Sequence, residues 1–148
     1  MSVAMKQGNR MELRFLGISQ NEGFARVCAG AFAAQLDPTM DEIQDIKTAI
    51  SEAVTNAIIH AYPDATGEVV LRGALEGNLL RLEVEDFGQG IPDVAKAREP
   101  FYTTCANEER SGMGFTVMET FMDRVKVESV LGQGTIVRME KKIGQAVK

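Results

Sequence analysis

The chain of 148 residues contains only two cysteines and one histidine. Cys28 and Cys105 share no motif spacing, which excludes a disulfide framework and reads as two free thiols, Cys28 in the core on a helix and Cys105 in a loop. No apolar run approaches the roughly 20 residues of a membrane helix, and the N-terminus has no apolar signal core. A cytoplasmic location with no membrane contact is expected. Positive charge is also scarce: 16 Lys and Arg face 21 Asp and Glu, a formal net charge of −5. That balance argues against nucleic acid as a direct partner, because phosphate binding needs a basic face. Internal repeats and low-complexity linkers are absent. So is Gly-x-x-x-x-Gly-Lys-Ser/Thr, which excludes P-loop chemistry. Asp86-Phe87-Gly88 imitates the magnesium motif of eukaryotic-type protein kinases, but no His-Arg-Asp loop or Gly-rich hairpin precedes it, and the chain is too short for that fold.

What is present reads as one domain over residues 1–148, with residues 1–10 and 143–148 as fraying tails. Residues 11–18 alternate as a strand, with Met11, Leu13 and Phe15 on one side. Ser19 and Glu22 have the spacing of a capping box, opening a helix predicted to bury Phe24, Val27, Cys28, Ala31 and Phe32. Asp37-Pro38 breaks it. Thr39 and Glu42 repeat the capping spacing before a long helix that runs to about His60 and stops at Tyr62-Pro63. Two strands follow, joined at Gly77-Asn78; the second places Leu80, Leu82, Val84 and Asp86 on one face. Residues 87–111 form a long connection with a short helix near residues 93–98. A helix from about Gly112 or Met113 to Met122 and two last strands complete the order β-α-α-β-β-(loop)-α-β-β. Paired strands with grouped helices imply an α+β fold, a two-layer sandwich with a mostly antiparallel sheet covered on one face by helices.

The chemistry concentrates in four places. Glu52, Asn56 and His60 recur every four residues and so share one side of the long helix, away from its apolar stripe. They read equally as a solvated polar face or as a site in which Asn56 offers an amide oxygen to Mg²⁺ and Glu52 polarises a hydroxyl. Asp86 falls on the buried face of its strand, where a carboxylate must find donors: a backbone amide of the next turn, or the exocyclic amine of a purine. Gly88 and Gly90 follow without Cβ atoms, leaving a backbone against which a ligand can lie. Ser111-Gly112-Met113-Gly114-Phe115 opens a helix whose N-terminus suits phosphate, with Arg110 beside it, either reaching a phosphate or pairing with Glu108 or Glu109. Thr135 lies on the inward register with Val137 and Met139, placed to complete a pocket beside Asp86.

In this order the four elements resemble the gyrase and histidine-kinase type ATPases, the Bergerat fold: Glu52-x-x-x-Asn56 is similar to the N box, Asp86-x-Gly88-x-Gly90 and Gly112-x-Gly114 to the two glycine boxes, Gly134-Thr135 to the closing pair. Longer stretches around Ser19, Gln35-Leu36-Asp37-Pro38, Ser51 and Glu109-Arg110-Ser111 look like the anti-sigma F factor family of endospore-forming bacteria. The resemblance implies a homodimeric serine protein kinase using ATP and Mg²⁺. It would hold sigma factor F and phosphorylate the anti-anti-sigma factor, stage II sporulation protein AA. It further implies Glu52 as the catalytic base, Asn56 as the magnesium ligand and Asp86 with Thr135 at the adenine. Gly88, Gly90, Gly112 and Gly114 would shape the pocket, with Ser111, Met113 and Phe115 beside them. Arg110 would touch the terminal phosphate, residues 101–110 with Thr103 and Thr104 would form a lid, and Arg26 would face the protein partners. His60 becomes a supporting group. Ala61 stands where the family has glycine, and Thr104-Cys105-Ala106-Asn107 where a Lys-Pro step is expected. The alternatives are a stress-response anti-sigma kinase acting on another sigma factor, and a nucleotide-dependent sigma-binding module without catalysis.

Overall fold

The computed structural model describes residues 8–62, 66–98 and 114–144, without the side chain of Lys96. Strand β1 (Arg10–Leu16) precedes α1 (Gln20–Ala33) and a short 3-10 turn, Ala34–Leu36. Helix α2 (Met40–Asn56) continues into a π-helical turn, Ala57–Ala61. Then come β2 (Glu68–Glu76), β3 (Leu79–Asp86), the short α3 (Val94–Ala97), α4 (Gly114–Phe121), β4 (Arg124–Val130) and β5 (Gly134–Lys142). The strands form one five-stranded sheet of order β1-β2-β3-β5-β4, antiparallel at every pairing. This is the expected α+β two-layer arrangement.

Alternation decides which face is core. Phe15, Val69, Leu71, Leu80, Leu82, Val84, Val137 and Met139 are buried on the face that meets the helices. The opposite face carries cross-strand ion pairs instead. Arg72 binds Glu12 at 3.0 Å and Glu85 at 2.7 Å, and Arg138 binds Glu83 at 3.0 Å. Such half-exposed pairs contribute little each, but they keep that face soluble and in register. Helix α2 is the central helix. Ile46, Ala49, Ile50, Ala53 and Val54 are buried along it, and both α1 and α4 pack against it. Its capping box forms as expected: Glu42 N–H donates to Thr39 Oγ1 at 3.1 Å, and Thr39 N–H donates to the Glu42 carboxylate at 2.9 Å.

Helix α1 departs from expectation twice. Ser19 makes no side-chain cap. Glu22, its presumed capping partner, turns across to α2, accepting from Ser51 Oγ at 2.5 Å and from Arg26 at 2.7 Å. The buried face is also different. Ala25, Ala29, Phe32 and Ala33 are buried, whereas Phe24 and Val27 are 50% and 58% exposed, Ala31 is exposed and Cys28 is half-buried. The helix has apolar residues on two faces, and close packing against α2 selects the face of small side chains, which lets the backbones approach. At the other end, Ile143 is buried and its N–H donates to Asn78 O at 2.8 Å, and Gly144 N–H donates to the Glu42 carboxylate at 3.1 Å, so both residues are held against the domain.

Candidate active site

Strand β3 delivers Asp86 to the helix-facing side of the sheet, only 7% exposed. Its carboxylate accepts from Gly88 N–H at 3.0 Å and from the backbone N–H of Thr135. Burial dominates all the same and pushes the carboxyl up from 3.8 to about 6, with Glu85 adding to the rise and the two backbone donors opposing it. The sheet register places Val69, Asp86, Thr135 and Ser129 in one row across β2, β3, β5 and β4. Side chains directly opposite on one face touch, and Thr135, also 7% exposed, sits against Asp86 as expected.

The loop after Asp86 is held residue by residue against the end of the long helix. Phe87 N–H donates to Tyr62 Oη at 2.7 Å, and the same hydroxyl donates to Glu68 O at 2.7 Å. Burial pushes the Tyr62 phenol up, so it keeps its proton. A Cβ on Gly88 would lie 2.2 Å from Ala61 O, and one on Gly90 would lie 2.6 Å from Val130 O. Gln89 N–H donates to Ala61 O at 3.2 Å, its side-chain amide donates to His60 O, and its own carbonyl accepts from Gly132 N–H at 2.9 Å. The space vacated by these glycines is therefore used first by the protein's own backbone, which locks the helix end, the loop and the β4–β5 hairpin together.

The polar trio lies on the helix that ends at this contact. Glu52 and Asn56 lie in α-helical register on α2, both half-buried. His60 lies in the π turn that follows, also half-buried. Gly114 opens α4, and the Phe115 side chain is buried in the core. Arg26 lies on α1, held by Glu22 and 3.4 Å from Ser51 Oγ. Thr103, Thr104, Arg110, Ser111, Gly112, Met113 and Cys105 lie outside the described residues. Among the described residues no group of three His, Cys, Asp or Glu side chains is placed to hold a metal, and no helix is long and apolar enough to cross a membrane.

Sequence reasoning missed Tyr62, Gln89 and Ser129. Tyr62 looked like a helix stop. Gln89 occupies a free position of its motif. Ser129 left a signal: it shares the inward register of Val125 and Val127, where a hydroxyl is out of place without a partner. Tyr62→Phe, which removes both hydroxyl bonds, should destabilise the fold by about 1–3 kcal/mol. An unshifted urea midpoint would show that the phenol does not tie the loop.

Residues 20–141 match the histidine kinase-like ATPase domain family. An anti-sigma F factor of Caldanaerobacter subterraneus subsp. tengcongensis is 59% identical over 141 residues, spanning 95% of this chain and 99% of that protein. The chain belongs to the anti-sigma F factor family. Two solved structures share its fold. The RsbU and RsbW domains of a Mycobacterium tuberculosis protein superpose with a TM-score of 0.67 at 21% identity, over 91% of this chain and 32% of that one. Full-length ShkA in complex with AMPPNP superposes with a TM-score of 0.58 at 25% identity, over 82% of this chain and 30% of that one. The family match spans Glu52, Asn56, Asp86 and Thr135, so all four lie within the matched ATPase domain.

Proposed function

We propose that this chain is an ATP- and Mg²⁺-dependent protein serine kinase that also binds and inhibits sigma factor F. The observation that carries the reading is Asp86, a buried carboxylate facing Thr135 at the end of β3, beside a loop bonded to the end of the helix that bears Glu52 and Asn56. A carboxylate kept from water with two backbone donors retains lone pairs for a further donor. The exocyclic amine of adenine fits that need, and guanine, with a carbonyl in that place, does not. Nucleotide binding by ShkA in the same fold supports this assignment. Asn56 would give its amide oxygen to Mg²⁺, a cation that accepts one or two protein ligands when phosphates supply others. Bound magnesium would neutralise charge on the phosphates. Glu52 would take the proton of the substrate serine hydroxyl as its oxygen bonds to the terminal phosphorus and the bond to the ADP oxygen breaks. The backbone at Gly112 and Gly114 would cradle phosphate, Arg110 would reach the terminal one, and Thr103, Thr104, Ser111 and Met113 would line it.

The protein substrate is then the anti-anti-sigma factor, stage II sporulation protein AA, and the active form a homodimer in the cytoplasm. The test is incubation with labelled ATP, Mg²⁺ and that protein, followed by mapping of the label. Phosphoserine on the partner is expected; no transfer would overturn the kinase reading.

Arg26 would carry the protein interface. Arg26→Glu should weaken sigma capture at least tenfold, on the order of one interface anchor, and leave ATP affinity unchanged, as measured by titration. It also sets two acidic side chains one turn apart with Glu22, costing about 0.2–0.5 kcal/mol of helix stability. Unchanged sigma affinity would remove Arg26 from the interface.

A further inference from the structure

Ser129 is assigned no role by the family motifs, yet its hydroxyl has three partners at the inner end of the pocket. Ile91 N–H donates to Ser129 Oγ at 2.7 Å. Ser129 Oγ donates to Gly134 O at 3.2 Å. Ser129 Oγ and Thr135 Oγ1 lie 2.8 Å apart, in a pair that either oxygen could donate. The two residues are also direct cross-strand partners in the row that continues to Asp86.

A serine hydroxyl has one proton and two lone pairs. Gly134 O can only accept, so the Ser129 proton points there. One lone pair takes the Ile91 N–H. The remaining lone pair faces Thr135, so the bond between the hydroxyls is donated by Thr135. With its proton directed at Ser129, Thr135 turns only lone pairs toward the pocket, next to a carboxylate that is also an acceptor. The pocket end is then a double acceptor. A purine with an amine at that edge satisfies it, whereas a purine with a carbonyl there meets like poles on both sides.

We propose that Ser129 is a positioning residue for base selection: by holding the Thr135 proton it keeps Thr135 an acceptor and sharpens the preference for adenine over guanine. The inference rests on the reading of Asp86 and Thr135 as a base pocket. Without the Ser129 oxygen, Thr135 is free to rotate and donate, which guanine tolerates.

The experiment measures dissociation constants for ATP and GTP with the full chain, in wild type, Ser129→Ala, Ser129→Val and Ser129→Thr. Valine is a second hydroxyl-free side chain, suited to a strand should alanine unfold the protein. The ratio of GTP to ATP constants should fall about fivefold to tenfold in the alanine and valine variants, the size of one hydrogen bond, and stay near wild type in the threonine variant. A purely structural role would weaken both nucleotides by the same factor and leave the ratio alone. That result, or a threonine variant that loses selectivity as alanine does, overturns the inference while the base pocket stands. A wild type that binds ATP and GTP equally overturns the base-pocket reading and the inference together.

Discussion

Asp86→Asn is expected to make the nucleotide-free protein more stable at pH 7 while weakening ATP binding at least tenfold. The carboxyl is held at about 6 against its ordinary 3.8, with burial the largest cause. A folded-state value above the unfolded one means that the folded protein binds the proton more tightly. The charge on Asp86 therefore costs nothing below about pH 4, where both states are protonated. The cost appears as pH rises from 3.8 to about 6 and is complete above that. A rise of this size corresponds to about 3 kcal/mol. Asparagine keeps an acceptor for Gly88 N–H but turns an amide donor toward the Thr135 N–H, so the net gain should be nearer 1–2 kcal/mol. Urea melts without nucleotide should show the gain at pH 7 and its disappearance near pH 4. If the same carboxylate accepts the adenine amine as proposed, wild-type ATP affinity should fall as pH drops below about 6, and the asparagine variant should lack that pH dependence. A variant that is less stable at pH 7, with ATP affinity intact, would show that Asp86 is structural.

Glu52→Ala should keep ATP binding and lose phosphoryl transfer by about 10²–10⁴-fold, the range of a positioned general base. Glu52 lies in regular α-helix one turn before Asn56, half-buried, on the helix whose end is bonded to the loop after Asp86. Its neighbour Ser51 is tied to Glu22 of α1, so two helices hold the Glu52 backbone in place. Glu52→Gln keeps the shape without the basic oxygen and should behave like alanine in transfer. Steady-state transfer to the partner protein and ATP titration separate the two effects. Undiminished phosphorylation by either variant would remove Glu52 as the base; a parallel loss of ATP affinity would make it a binding group.

Much of the site follows from spacing within one element. Thr39 and Glu42 cap α2 as their separation foretells, because a capping box closes within four residues. Asp86 faces inward because strand side chains alternate strictly, and Leu80, Leu82 and Val84 mark the buried side. Thr135 follows by the same rule from Val137 and Met139. The reading weakens where one pattern admits two outcomes. Helix α1 has two apolar faces, and Phe24 and Val27 fit a core pattern as well as Ala25 and Ala29 do. Ser19 and Glu22 have capping spacing, but Ser51 competes for the same carboxylate from 29 residues away.

By itself the sequence determined the antiparallel α+β order, the inward placement of Asp86 and Thr135 and the shared register of Glu52 and Asn56. All are consequences of periods of two and 3.6 acting within a single strand or helix. Only the tertiary structure decided that α2 ends in a π turn, and that residues 60–62 are docked to residues 87–89. It also placed Ser129 behind Thr135 and Ile91, which is 38 residues away. Those arrangements are set by how hydrogen-bond donors and acceptors from distant segments satisfy one another once the core has brought them together, and no local period encodes that.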